Sequence, residues 1–121
     1  MDLFTKEIHE QLLKNGLIRK GLKDKGRQEP DFYPVAEVRP ETCYGTWLLS
    51  DINPVHPNMI YGLHDFGTIK PFMGYVDFAE LVSLLEKSNH VLKCVPCIPI
   101  KKTLKEYEEI ANLEGFIVTS Y

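Results

Sequence analysis

Residues 46–67 read TWLLSDINPVHPNMIYGLHDFG, and this stretch decides the fold. Two runs rich in aromatic, leucine and isoleucine residues, 46–52 and 59–65, flank the hexapeptide NPVHPN. The prolines of that hexapeptide cannot donate hydrogen bonds to a sheet, so it indicates a turn. A connection this short cannot cross over to a parallel strand. The stretch therefore predicts an antiparallel hairpin.

The register of this hairpin follows from the centre of its turn. Centring it in NPVHPN pairs Asp51 with Ile60 and Asp65 with Thr46, and places Asp51 on the same face as Trp47. The two acids are then roughly 16 Å apart at the usual rise of a strand. Acid–base carboxylate pairs of glycosidases are about 5 to 9.5 Å apart. We therefore predict no carboxylate dyad, and no catalytic residue is assigned.

The patterns outside the hairpin complete an α+β fold. They predict an antiparallel four-stranded meander with three helices packed on one face, in a single compact domain of residues 1–121. The segment 91–100 is apolar but contains two prolines, which favours an edge strand or an extended crossing segment. Trp47 is expected to be buried. The predicted boundaries are an N-terminal helix over 1–16 that Gly16 ends, a basic connection over 17–32, a sheet over 34–76, and helices with a terminal apolar tail over 77–121.

Composition limits the class of protein. The chain has 121 residues and a formal net charge of −3, which suits one soluble globular domain. Its first ten residues are too charged for a secretory signal, and no apolar run approaches the roughly 20 residues that span a bilayer. Three cysteines, an odd number, favour a reducing compartment. We expect a cytoplasmic protein with no membrane association.

The charge is divided unevenly along the chain. Residues 17–27 carry a net charge of +4, which leaves −7 for the remainder. This segment is a candidate for contact with phosphate or nucleic acid, although a solvated surface explains the same pattern. Its cationic residues are Arg19, Lys20, Lys23, Lys25 and Arg27. A second run consists of Lys93, Lys101, Lys102 and Lys105.

Two motifs resemble reactive sites but fit poorly. Cys94 and Cys97 form a CxxC, yet no helix follows it to lower a thiol pKa, and residues three apart on a strand point to opposite faces. His64 and Asp65 are adjacent on a predicted strand and so face opposite sides. The remaining histidines lack metal-ligand spacing. We therefore predict no metal site and no cofactor.

The order and spacing of several motifs resemble a family of short, uncharacterised bacterial proteins, a domain of unknown function typical of plasmids and conjugative elements. The matching residues are Phe4-Thr5, Asn15-Gly16, Pro34-Val35, TWLLSD at 46–51, YGLHDFG at 61–67, GYVDFAEL at 74–81, and Leu104 with Tyr107. The resemblance covers most of the chain. It implies no established activity, and it implies an accessory role on a mobile element.

One position departs from the pattern of that family. Phe72 stands in PFMGY, where the family usually has glutamate, so any carboxylate chemistry of the family is in doubt here. Aromatic side chains dominate the energetics of interface cores. We therefore predict a partner-binding aromatic surface of Phe66, Phe72 and Tyr75.

These observations favour a non-enzymatic protein that acts by binding. The predicted function is counter-defence, of the anti-CRISPR or anti-restriction type, by inhibition of a host nuclease or its nucleic-acid complex. The partner would be a host protein such as a nuclease ribonucleoprotein, with the basic segment meeting nucleic acid. Two alternatives remain open, a small hydrolase using Asp65 with Asp77 or Glu80, and a sequence-independent RNA or DNA binder.

Overall fold

The computed structural model describes residues 3–97 and 102–119. Within these ranges it contains three helices and a five-stranded antiparallel sheet, so the α+β class is confirmed. In chain order the elements are α1 (Lys6–Asp24), β1 (Ala36–Pro40), β2 (Thr46–Ile52), β3 (Met59–Asp65), β4 (Phe72–Asp77), α2 (Phe78–Lys87), β5 (Leu92–Pro96) and α3 (Leu104–Glu114). No helix in these ranges has the length and apolar character that a membrane crossing requires.

The prediction of four strands is wrong by one. The sheet order is β4-β3-β2-β1-β5, so the first four strands form the expected meander and β5 returns to pair with β1. The segment 91–100 is predicted to be an edge strand or a crossing segment, and its described part contains the edge strand β5. Residues 98–100 lie outside the described ranges. Pro96 is tolerated in β5 because an edge strand has one side without a ladder.

Helices cover both faces of the sheet, which corrects the prediction of one covered face. On the first, the α1/α2 face, Trp47, Leu49 and Ile60 pack with apolar residues of α1 and α2. On the opposite, α3 face, Leu48 and Leu63 pack with apolar residues of α3. Trp47 is 2% exposed, as expected from the sequence. Strand β2 has apolar residues on both faces of the sheet, so helices must pack on both faces to bury them.

The first helix is longer than predicted. It continues through Gly16 to Asp24, so the basic connection over 17–32 is wrong for its first eight residues. Lys25 is the C-cap, and Gly26 follows it with a φ of +66°. The amides of Gly26 and Arg27 donate to the carbonyls of Lys23 and Leu22, at 3.0 and 2.9 Å, which is a Schellman motif.

Gly16 lies where α1 contacts β2, and it does not end the helix. A Cβ placed there would lie 1.8 Å from the carbonyl oxygen of Ile52. Only glycine therefore lets α1 approach β2 at this point. The other two helices begin at side-chain caps, since Asp77 accepts from Glu80 N at 3.0 Å and Thr103 forms a complete capping box.

Candidate functional site

A β-bulge at Ser50 brings the charged residues of the site together. The pairing of β2 with β3 shifts between Leu49 and Asp51, so that Asp51 lies opposite Tyr61 instead of Ile60. Beyond a bulge, side chains exchange faces. Asp51 therefore lies on the α3 face, and the prediction that it shares a face with Trp47 is wrong. The pairing of Thr46 with Asp65 is confirmed.

Asp51 is fully buried and is bound by Arg19 of α1. Arg19 Nε lies 2.7 Å from Oδ2, and Nη2 lies 3.2 Å from Oδ1, which is the bidentate arrangement that the guanidinium favours. The hydroxyl of Ser50 also contacts the Asp51 carboxylate. Asn15, one helical turn before Arg19, donates to the carbonyl of Ser50 at 3.0 Å. Two residues of α1 thus hold the bulge in place.

Aromatic rings complete the enclosure of Arg19. Its guanidinium carbon lies 3.7 Å from the centroid of the Tyr61 ring and 5.6 Å from that of Phe32. Burial opposes the charged form, but the hydrogen bond and the charge of Asp51 outweigh it, so the pKa of Arg19 is raised. The pKa of Tyr61 is also raised, first by burial. This arrangement is a bidentate ion pair, and its Asp51 carboxylate is closed off from solvent.

Asp65 is buried and has three hydrogen-bond donors. Tyr44 Oη lies 2.7 Å from Oδ2, Ile117 N lies 3.1 Å from the same oxygen, and Gly67 N lies 2.9 Å from Oδ1. The contact with Gly67 is one that turn-forming aspartates make. The contact with Ile117 ties the segment after α3 to the end of β3. A carboxylate held in this way acts as a structural connector.

His64 is buried on the α1/α2 face, separate from the Asp65 side chain. Its Nε2 lies 2.8 Å from the carbonyl oxygen of Gly74, so Nε2 carries the proton and donates. Burial lowers the pKa of His64 from 6.5 to about 4. The ring is therefore neutral near pH 7. Nδ1 is buried with no hydrogen-bond partner in the described structure.

The CxxC thiols pack on opposite faces of the sheet, as predicted. Cys94 contacts the core of the α1/α2 face, and Cys97 contacts that of the α3 face. Burial raises the pKa of Cys94 to about 11 and that of Cys97 to about 12. Both are thus thiols at neutral pH, which disfavours redox or metal chemistry. No group of three potential metal ligands occurs in residues 3–97 and 102–119.

Four of the five predicted phosphate-contacting residues lie on one exposed segment. Lys20, Lys23, Lys25 and Arg27 are exposed at the end of α1, and we call them the basic end of α1. Lys20 Nζ lies 2.6 Å from Asp24 Oδ2. The structure separates Arg19 from them, because it is buried against Asp51. Lys101, from the second lysine run, lies outside the described residues.

The structure divides the predicted aromatic surface. Phe66 and Phe72 stack with centroids 6.0 Å apart, and Phe66 also meets the edge of Trp47, so both rings border the α1/α2 core. Tyr75 pairs with Tyr61 on the α3 face and is 37% exposed. Residues 72 and 75 are three apart on one strand, which places them on opposite faces. The three side chains therefore do not form one patch.

Sequence reasoning missed the pair of Arg19 and Asp51. A signal was present in α1, where the buried residues Ile8, Leu12, Asn15 and Arg19 recur at intervals of three and four. Continuing that stripe past Gly16 would have placed Arg19 on the buried side. The bulge that turns Asp51 toward it has no comparable signal in the sequence.

Comparison with known proteins identifies the domain. Residues 3–118 match a family described as "Protein of unknown function (DUF2958)". No curated protein and no solved structure matches the chain.

Proposed function

Because the chain belongs to the family DUF2958, whose description names no activity, we propose a function from the geometry: the protein is non-enzymatic and binds phosphates of a host partner through the basic end of α1. The partner is a host nuclease or its nucleic-acid complex. The role is counter-defence, of the anti-CRISPR or anti-restriction type, on a bacterial mobile element. The resemblance of the motifs supports the mobile-element setting, and the exposed cations support the phosphate contact.

The observation that carries the proposal is the ordered presentation of four cations. Residues 20–27 carry a net charge of +3, against −6 for the rest of the chain. The Schellman motif at Gly26 sets the backbone of this segment, and Arg19 anchors the preceding turn to Asp51. Cations carried on an ordered backbone lose less backbone conformational entropy on binding than cations on a flexible arm do. The acidic remainder of the surface opposes binding of nucleic acid elsewhere on the molecule.

The hydrogen bonds of the carboxylates support a binding function over hydrolysis. Asp65 has three donors, and Asp77 caps α2 through Glu80 N. These are the contacts that turn and cap residues make. A hydrolase of the predicted kind would need one of these acids to act as a base. Loss of a measured turnover on Asp65→Asn would support that alternative.

The test replaces the four cations of the basic end by glutamine and measures binding to a fluorescently labelled single-stranded RNA and a duplex DNA. Arg19 is retained, because its removal would disturb the fold. Between about 50 and 200 mM salt, the slope of log affinity for RNA against log salt should flatten by about 3, since four fewer counterions are released.

A matched control removes four exposed cations elsewhere, Lys6, Lys14, Lys70 and Lys87, and changes the net charge equally. This control variant should keep most of the wild-type affinity for RNA and most of the dependence of that affinity on salt. Equal losses in both variants would show a general charge effect and reject a site at the basic end. A stoichiometric complex with a host nuclease, captured from cells and weakened by the four-site variant alone, would support the inhibitor role over sequence-independent binding.

A further inference from the structure

Strand β4 leaves one edge of the sheet uncovered. In the part of the chain that the structure describes, β4 pairs with β3 and with no other strand. Tyr75, near its middle, is exposed. A Cβ placed on Gly74 would meet no atom within 4 Å, so the face of the sheet is also uncrowded at this residue. Among the described residues no strand pairs with the outer side of β4, and this side is therefore open to another chain.

Within the described residues, the backbone of β4 has groups at this edge that pair with no other strand. The amide of Phe78 donates to the carbonyl of Asn58 at 2.8 Å, which sets the phase of the ladder between β3 and β4. Opposed residues of an antiparallel pair alternate between hydrogen-bonded and non-hydrogen-bonded pairs. The even-numbered residues 72–76 therefore direct their backbone groups to β3. Met73 and Tyr75 direct theirs away from the sheet.

The opposite edge of the sheet is protected, whereas β4 is not. On β5, Lys93 is exposed, and Pro96 lies where an amide would otherwise point outward. Lysine and proline are two common devices that prevent edge strands from pairing. Residues 72–76 read FMGYV and contain neither a charge nor a proline. The edge is thus open and uncharged from Phe72 to Val76, before Asp77 ends the strand, and such an edge is a template for an added strand.

We propose that β4 pairs antiparallel with β4 of a second copy of this chain, about a two-fold axis at Gly74. In this register Met73 lies opposite Tyr75 of the second copy, and these are the residues whose backbone groups point outward. Phe72 lies opposite Val76, and Gly74 faces its own copy where the backbones approach most closely. No charged side chain of the strand opposes a like charge.

The residues on both sides of Gly74 are uncharged and largely apolar, and this is the reason to choose a second copy over another protein. A two-fold contact must be self-complementary, and an apolar strand with glycine at its centre satisfies this requirement. The result would be a continuous ten-stranded sheet across the dimer. Because only an edge is buried, the association should be weak and depend on concentration. Since it uses backbone and apolar contacts, it should also be insensitive to salt, unlike binding at the basic end of α1.

Sedimentation equilibrium of the whole chain tests the proposal. Up to about 1 mM protein, the weight-average mass should rise from 13.9 kDa toward twice that value, equally at low and high salt. Tyr75→Lys, which adds a charge to the edge, should stay monomeric. The control Val95→Lys changes a residue of similar exposure, 38%, on β5 and should dimerise like the wild type.

Amide hydrogen exchange of the wild type provides a test that needs no variant. On raising the concentration, the amides of Met73 and Tyr75 should exchange more slowly, while those of Phe72, Gly74 and Val76 should already be protected. A wild type that stays monomeric at every concentration would overturn the proposal. Dimerisation without slower exchange at Met73 and Tyr75, or an undiminished dimer of Tyr75→Lys, would also overturn it.

Discussion

At the scale of single residues, Arg19 and Asp51 form a buried ion pair that fixes the end of α1 on the sheet. Removing two charges from water is costly, and the bidentate contact with its flanking Tyr61 ring offsets that cost. An intact buried pair of this kind often contributes little net stability. Loss of Asp51 would leave Arg19 only the exposed carboxylate of Glu29, 3.9 Å from its Nη1. Loss of the close buried partner is strongly destabilising.

We therefore expect Asp51→Leu to lower the free energy of unfolding by about 3 to 5 kcal/mol, measured by urea denaturation. The double variant Arg19→Met with Asp51→Leu should recover most of this loss, because it leaves no unpaired charge. Asp24→Leu breaks the exposed pair with Lys20 and should change stability by less than about 1 kcal/mol. A double variant as unstable as the sum of its single changes would contradict this account.

His64 should make stability depend on pH. Its pKa is about 4 in the folded chain against an ordinary 6.5, so the unfolded state binds more protons between these values. Stability should therefore fall as the pH decreases from about 6.5 to 4, by roughly 3 kcal/mol in total, and change no further through this group below pH 4.

The variant His64→Gln separates this effect from that of the other titrating groups. Glutamine can still donate to the carbonyl of Gly74 but does not titrate. Urea midpoints measured at pH 7, 5.5 and 4 should fall less for the variant than for the wild type. Parallel curves would show that His64 is not the group responsible.

At the scale of elements, the two glycines within α1 have opposite roles. Gly16 allows close contact with β2, whereas a Cβ on Gly21 would meet no atom within 4 Å. Gly16→Ala should destabilise the fold by about 1 to 3 kcal/mol or more, since the clash is with backbone. Gly21→Ala should raise stability by about 0.4 to 1 kcal/mol through helix propensity. Melting temperatures that moved in the same direction would contradict this assignment.

At the scale of the whole molecule, the sheet separates two cores that β2 joins. Trp47 and Leu49 point into one core, and Leu48 points into the other. Asp65 connects the layers, because its carboxylate binds the hairpin end and the backbone of Ile117 after α3. The basic end of α1 and the open edge of β4 are different surfaces of this frame. The proposed phosphate binding and the proposed dimerisation can therefore be tested separately by variants.

The sequence alone determined the elements whose signals are local. Three features follow from periodicity and the turn prolines. They are the hairpin of β2 and β3, the pairing of Thr46 with Asp65, and the burial of Trp47. These signals act over a few residues. They are visible in one chain without any knowledge of its partners in space.

Only the tertiary structure decided where these elements meet. Gly16 looked like a helix end because its function, the close approach of α1 to Ile52, depends on a residue 36 positions away. The bulge at Ser50 changed the face of Asp51, and with it the role of Arg19, since a shift of one residue exchanges the two sides of a strand. Both features rest on long-range contacts, for which local propensity carries no signal.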